Sequence, residues 1–107
     1  MSRNLTLLTD LYQLTMMSGY LKNGKKDDVA VFDLFFRRNG LITYSVAAGL
    51  EQAVEYIRSV RFTEEDVAYL RSLELFDEDF LAYLRAFRFT GDVYAVPEGT
   101  VVFPEEP

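Results

Sequence analysis

Apolar residues first recur at helical spacing between Asp10 and Asn23. Leu11, Leu14, Ser18 and Leu21 share one face there, with Leu7 and Leu8 leading in. Thr9 or Asp10 is placed to cap the N-terminus, and Asp10 with Gln13 has capping-box spacing. Gly24 supplies a stop, and Lys22, Lys25 and Lys26 sit where the helix dipole favours positive charge. The pattern predicts a helix. After a charged turn from Lys25 to Asp28 the period becomes two. From Val29 to Arg38, Val29, Val31, Asp33 and Phe35 alternate with Ala30, Phe32, Leu34 and Phe36. Both sets are largely apolar, which predicts a central strand buried on both faces. Asn39-Gly40 is a hairpin-turn dipeptide, and Leu41 to Ala47 reads as the returning strand. Arg37 and Arg38 would then flank the hairpin tip.

From Gly49 the helical period returns. Leu50, Val54 and Ile57, with Val60 or Arg61, form the apolar side, while Glu51, Glu55 and Arg58 take the wet side. Thr63 with Asp66 has capping-box spacing, and Val67, Leu70 and Leu73 follow on one face. Asp77 is placed to cap a further helix carrying Phe80, Leu81, Leu84 and Phe87. The end is β again: alternation from Asp92 to Val96, a turn at Pro97-Glu98-Gly99, and an apolar run from Thr100 to Phe103. The fold class is α+β, with short β-hairpins and about four helices. Such a set leaves strand edges and the faces of the strand from Val29 to Phe36 without cover. The expectation is therefore a piece of a larger fold.

Composition narrows the chemistry. The chain has 107 residues, a one-domain length, and half of them are hydrophobic, which excludes a disordered chain. It has no cysteine and no histidine, so thiolate chemistry, imidazole bases and the usual nucleophile–base pairs are all absent. The net charge of −6 argues against nucleic acid as a partner, since the only adjacent basic pairs are Lys25-Lys26 and Arg37-Arg38. No apolar run approaches the ~20 residues of a membrane span, and the start, MSRNLTLLTD, is not a signal peptide. With no cysteine, this fits a cytoplasmic protein.

No phosphate-cradling glycine loop occurs. The carboxylates at Asp27-Asp28, Glu64-Glu65-Asp66 and Glu105-Glu106 suit caps and solvation. Tyr56, Tyr69, Tyr83, Phe80 and Phe87 recur at the spacing of core or semi-core aromatics. Two features remain. Arg37-Arg38 suits a bidentate grip on phosphate or carboxylate, or else is a solvated strand end. Asp10-Leu11-Tyr12 offers a ring face and a steering charge, or else a cap and a packing residue.

Four segments carry a resemblance. LLTDLYQLTMMSGY, from Leu7 to Tyr20, and VAVFDLFFRRNG, from Val29 to Gly40, closely resemble the N-terminal signature of nicotinate phosphoribosyltransferases. RFTEEDVAYLRSLELF, from Arg61 to Phe76, and FRFTGDVYAVPEGTVVFPEEP, from Phe87 to Pro107, are similar to the same family. The loop after Arg38 is short for the family, and Asp33 is an acidic residue within a strand-like run. The resemblance implies a type II phosphoribosyltransferase, with an N-terminal α/β domain followed by an irregular barrel. Residues 1–107 would be an incomplete N-terminal domain without the barrel, which in the family holds a phosphorylated histidine and most ribose and pyrophosphate contacts.

The implied reaction joins nicotinate to 5-phosphoribosyl-1-pyrophosphate, with ATP assisting, and gives nicotinate mononucleotide and pyrophosphate in NAD salvage. The implied cofactors are Mg²⁺ and ATP for the whole enzyme, with none bound by this segment alone. The implied assembly is a homodimer in which the T-D-x-Y motif reaches into the partner's site. Tyr12 would stack on the pyridine ring with Asp10 beside it, as a cap or an arginine's partner more than a direct ligand. One of Arg37 and Arg38 would face a phosphate. No catalytic residue and no metal ligand is assigned in this segment, and alone it would be inactive. The other reading is a non-catalytic interaction module or split-enzyme subunit that pairs with a separate barrel chain.

Overall fold

The computed structural model describes residues 4–105. Readings that involve residues 1–3, Glu106 and Pro107 lie outside the described residues. The element order is α1 (Leu11–Lys22), β1 (Ser45–Val46), α2 (Leu50–Ser59), α3 (Glu64–Ser72), α4 (Glu78–Arg85) and β2 (Val101–Val102). Among the described residues this is the expected α+β class with four helices. The chain divides into two units. One comprises the chain through Asp28 together with Tyr56–Thr90, and the other comprises Val29–Glu55 with the chain from Gly91. The division falls within α2.

The helical unit has the larger core. Val67 and Leu70 of α3 and Phe80, Leu81 and Leu84 of α4 are buried together with Leu14 of α1 and Phe62. Leu7, Met17, Leu21, Leu73, Phe76, Tyr83 and Phe87 pack around them. Local signals set the helix ends. At α3 the Thr63 hydroxyl accepts from the Asp66 N–H at 3.2 Å, and the Asp66 carboxylate accepts from the Thr63 N–H at 3.0 Å. At α4 the Asp77 carboxylate accepts from the Phe80 N–H at 2.9 Å. α1 closes as a Schellman motif: Lys25 N–H bonds to Tyr20 C=O at 2.8 Å and Gly24 N–H to Leu21 C=O at 3.3 Å. Gly24 takes φ +71°, the left-handed conformation this motif requires.

Ion pairs add less. Arg71 grips both oxygens of Glu78 at 2.8 and 2.9 Å, and holds that carboxyl below the usual carboxylate range. Arg85 meets Glu64 at 2.9 Å. These side chains are exposed, where water and salt screen the attraction and ordering two long side chains offsets much of it.

Tyr56 and Tyr69 are exposed rather than core residues. Tyr69 lies about 200° round the helix from the buried Val67, because each residue turns the helix by about 100°. α2 keeps Leu50, Val54 and Ile57 half-buried and its charged side wet, as the periodicity predicts.

α3 ends less comfortably. Leu73 is its C-cap, and Glu74 follows with φ +58°. A side chain in this left-handed region costs about 1–2 kcal/mol, and a carboxylate beside a helix C-terminus opposes the dipole. Glu74→Gly is expected to raise the stability of this unit by about 0.5–1 kcal/mol, net of glycine's entropic cost. The urea midpoint should move upward at constant slope.

The sheet-bearing unit departs most from expectation. Residues 29–38 form no strand. Val29, Val31, Phe32 and Leu34 are 93, 90, 90 and 92% exposed. The anticipated hairpin with residues 41–47 is replaced by a long-range pairing. β1 runs antiparallel to β2, with Ser45 opposite Val102 and Val46 opposite Val101. Residues 92–96 are not a strand either. The physical reason is that alternation sets which way side chains face but does not supply a ladder partner. A strand exists only where its peptide groups find one.

The two turns are present. Ile42 N–H donates to Asn39 C=O at 2.8 Å, closing the Asn39-Gly40 turn. Pro97 C=O accepts from the Thr100 hydroxyl at 2.6 Å, and Gly99 sits at φ +86°. This second turn reaches the start of α2, where Glu98 accepts from the Gly49 N–H at 3.1 Å. Among the described residues, no helix is long and apolar enough to cross a membrane.

Candidate functional site

Tyr12 lies on the first turn of α1, and the residues before it are anchored. The buried Thr6 hydroxyl donates to Arg61 C=O at 2.7 Å, and the Thr6 N–H donates to the Asn4 side-chain oxygen at 3.1 Å. Asn4 in turn donates from Nδ2 to Asp66 Oδ2 at 2.9 Å. Asp66 thus caps α3 and also holds the segment that leads into α1. Leu7 packs on the core a few residues later. This strap fixes where α1 begins, and so where residues 10–12 emerge.

Leu14 and Ser18 face inward, so Tyr12, two residues before Leu14, points outward and is 60% exposed. Met16 and Tyr20 are exposed on the same side at i+4 and i+8. The tyrosine thus presents its ring to solvent at the head of an apolar stripe.

Asp10 corrects one expectation. It is the N-cap residue by backbone, with φ −82° and ψ 144°, but its carboxylate makes no cap hydrogen bond. The Thr9 hydroxyl instead donates to the side-chain oxygen of Gln13, so the capping-box partner is already engaged. Among the described residues the Asp10 carboxylate has neither a hydrogen-bond nor an ion-pair partner. An exposed aspartate of this kind is free to meet a cation or a donor from another surface.

Arg37 and Arg38 belong to the sheet-bearing unit and are exposed. The Asn39 turn fixes the backbone just after them. Its side-chain oxygen accepts from the Leu41 N–H at 3.4 Å, in addition to the Ile42 bond. Among the described residues neither guanidinium has a partner. Two adjacent unpaired guanidiniums make a strong local field for a phosphate or carboxylate.

Asp10 and Tyr12 thus stand together in the helical unit, and the two arginines stand together in the other. The tethers through Asn4, Thr6 and Asp66 were not read from the pattern. Their only trace is the alternation of polar Asn4 and Thr6 with Leu5 and Leu7. No group of three or more acidic residues among those described is arranged to hold a metal ion.

A family model for the nicotinate phosphoribosyltransferase N-terminal domain matches residues 7–107. The chain is 48% identical over 103 residues to a nicotinate phosphoribosyltransferase of Mycobacterium tuberculosis, covering 94% of this chain and 22% of that protein. It is 45% identical over 108 residues to the Bacillus subtilis nicotinate phosphoribosyltransferase, covering 97% of this chain and 21% of that protein. It is 43% identical over 107 residues to the human one, covering 94% and 20%. The chain therefore spans about a fifth of the length of these relatives.

Proposed function

Since the chain belongs to the nicotinate phosphoribosyltransferase N-terminal domain family, we propose that it supplies ring-stacking and phosphate contacts to an enzyme of that activity. The reaction joins nicotinate to 5-phosphoribosyl-1-pyrophosphate and yields nicotinate mononucleotide and pyrophosphate, a salvage step toward NAD with ATP assisting. In this reading residues 1–107 are an incomplete N-terminal domain, and the remaining catalytic groups lie outside it. The enzyme works as a cytoplasmic homodimer, with the Thr9-Asp10-Leu11-Tyr12 turn of one subunit reaching into the site of the other.

The observation that carries the reading is the outward Tyr12 ring on an anchored first turn. An electron-poor pyridine ring stacks favourably on an aromatic face, and holding a tyrosine there freezes only two side-chain torsions. Tyr12 orients the ring so that its nitrogen meets the ribosyl carbon, which becomes cationic as pyrophosphate departs. Nicotinate is itself an anion, so Asp10 does not face its carboxylate. The free Asp10 carboxylate is suited instead to pair with an arginine of the completed site. Arg37 or Arg38 binds phosphate oxygens of the substrate or product. Neither tyrosine nor arginine transfers a proton here. Mg²⁺ and ATP, used by the whole enzyme in this reading, would be held by groups outside this segment.

Charge reversal tests the anion role. In the intact enzyme, Arg37→Glu or Arg38→Glu, made separately, is expected to weaken phosphoribosyl pyrophosphate binding by about tenfold. This corresponds to losing one solvent-weakened, charge-assisted hydrogen bond. The other substitution should have little effect and so identifies the residue that does not touch phosphate. Unchanged affinity in both variants overturns the role.

A further inference from the structure

We propose that Thr6 is a positioning residue for the pyridine ring, acting through Tyr12 by locking the entry of α1 to the backbone of Arg61. The inference rests on the stacking role given to Tyr12 above and adds the group that sets where that ring stands. Thr6 is buried, a hydroxyl among Leu5, Leu7 and Leu8 in the sequence. Burying a hydroxyl is costly unless it is hydrogen-bonded. This one is bonded on both sides to a single residue 55 positions away. Its Oγ1 donates to Arg61 C=O at 2.7 Å and accepts from the Arg61 N–H at 3.4 Å. A valine would fill the same volume with neither bond, so what the hydroxyl adds is position. Arg61 is a firm base for it. Phe62 beside it is buried in the core, with its ring 5.9 Å from that of Phe87 in an edge contact, and Thr63 opens the α3 cap. A second tie runs alongside: Asp66 Oδ2 accepts from the Thr63 N–H at 3.0 Å and from Asn4 Nδ2 at 2.9 Å. The cap of α3 and the entry of α1 therefore share one carboxylate oxygen.

The link from Thr6 to Tyr12 has little slack. Leu8 N–H bonds to Leu5 C=O at 2.9 Å, Thr9 N–H to Leu7 C=O at 2.8 Å and Gln13 N–H to Asp10 C=O at 3.1 Å. Leu7 packs on the core within the same stretch. The Asp10 carboxylate makes no cap hydrogen bond, so the first turn of α1 takes its placement from the strap behind it. A misplacement of about 1 Å, made far from the chemistry, can cost about a hundredfold in rate. Releasing Thr6 from Arg61 therefore shifts the ring without touching it.

The test titrates nicotinate and phosphoribosyl pyrophosphate separately into the intact enzyme as wild type, Thr6→Val, Thr6→Ser, Tyr12→Ala and the Thr6→Val, Tyr12→Ala double variant. Thr6→Val is expected to weaken nicotinate binding by about tenfold, within the range for a misplaced group. Its affinity for phosphoribosyl pyrophosphate should hold. Thr6→Ser keeps the hydroxyl and should bind nicotinate as the wild type does. In the double variant Thr6→Val should add nothing to the loss from Tyr12→Ala, because both act through one contact. Asn4→Ala cuts the other tie and leaves the Thr63–Asp66 cap in place, so it carries the same test should Thr6→Val fold poorly. Its expected loss is about threefold, for a hydrogen bond in reach of solvent. A parallel fall in both affinities, or fully additive losses in the double variant, would make Thr6 merely structural and overturn the proposal. Normal nicotinate binding in Thr6→Val and Asn4→Ala, with Tyr12→Ala impaired, overturns this inference alone. Normal binding in Tyr12→Ala overturns the stacking role, and this inference with it.

Discussion

Phe80→Ala is expected to destabilise the helical unit by about 3–5 kcal/mol, the usual range for emptying a fully buried phenylalanine site. Phe80 has no exposed surface, and its ring lies 5.3 Å from that of Phe76 in a tilted pair. Val67, Leu70, Leu81 and Leu84 are buried in the same cluster. Removing the ring forfeits its transfer free energy and leaves a cavity that two short helices can close only partly. Domains of this size hold roughly 5–15 kcal/mol in all, so most of the margin would go. With no tryptophan and seven tyrosines in the chain, tyrosine fluorescence in a urea titration is the natural readout. Phe80→Ala should move the midpoint far down, whereas Leu75→Ala, at a half-exposed position, should move it little. Equal shifts would show that the core lies elsewhere.

The helical unit was legible because its signals are local. Thr63 with Asp66, Asp77 before α4 and Gly24 after α1 each act within one turn of chain, and each performs the expected end-capping. The face formed by Val67, Leu70, Leu81 and Leu84 follows from a period of 3.6 alone. The sheet was not legible, because pairing is decided at a distance. Ser45 and Val46 pair with residues more than fifty positions away, and nothing in residues 29–47 announces that choice. The run from Val29 was read as buried on both faces from its composition, yet composition states only what a strand would want covered.

The site shows the same contrast. Tyr12 is outward because Leu14 and Ser18 are inward, which helical spacing foretells. The freedom of the Asp10 carboxylate is not foretold: the Gln13 N–H that it could accept from bonds to the Asp10 backbone C=O instead. The anchoring of the first turn through Thr6 and Arg61 depends on residues 55 positions apart. It too was invisible in the pattern.

Tyr12→Ala is expected to weaken nicotinate binding to the intact enzyme by about ten- to a hundredfold. Stacking of an aromatic side chain on a planar heterocycle contributes about 1–3 kcal/mol by alanine substitution, which sets that range. Affinity for phosphoribosyl pyrophosphate should be unchanged, because in the proposed role the ring meets only the pyridine. Stability should hardly move, because the side chain is exposed on α1 and closes no core. Loss of both affinities together, with a lowered melting point, would mean that Tyr12 is a packing residue. Tyr12→Phe separates the ring from its hydroxyl: the ring face remains, so binding should remain.

The most direct measurement is a calorimetric titration of nicotinate into the intact enzyme in three forms: wild type, Tyr12→Phe and Tyr12→Ala. The predicted result is near-equal affinity for the first two and at least a tenfold loss in the third. Equal affinity in all three would contradict the assignment of this N-terminal segment as the one that holds the pyridine ring.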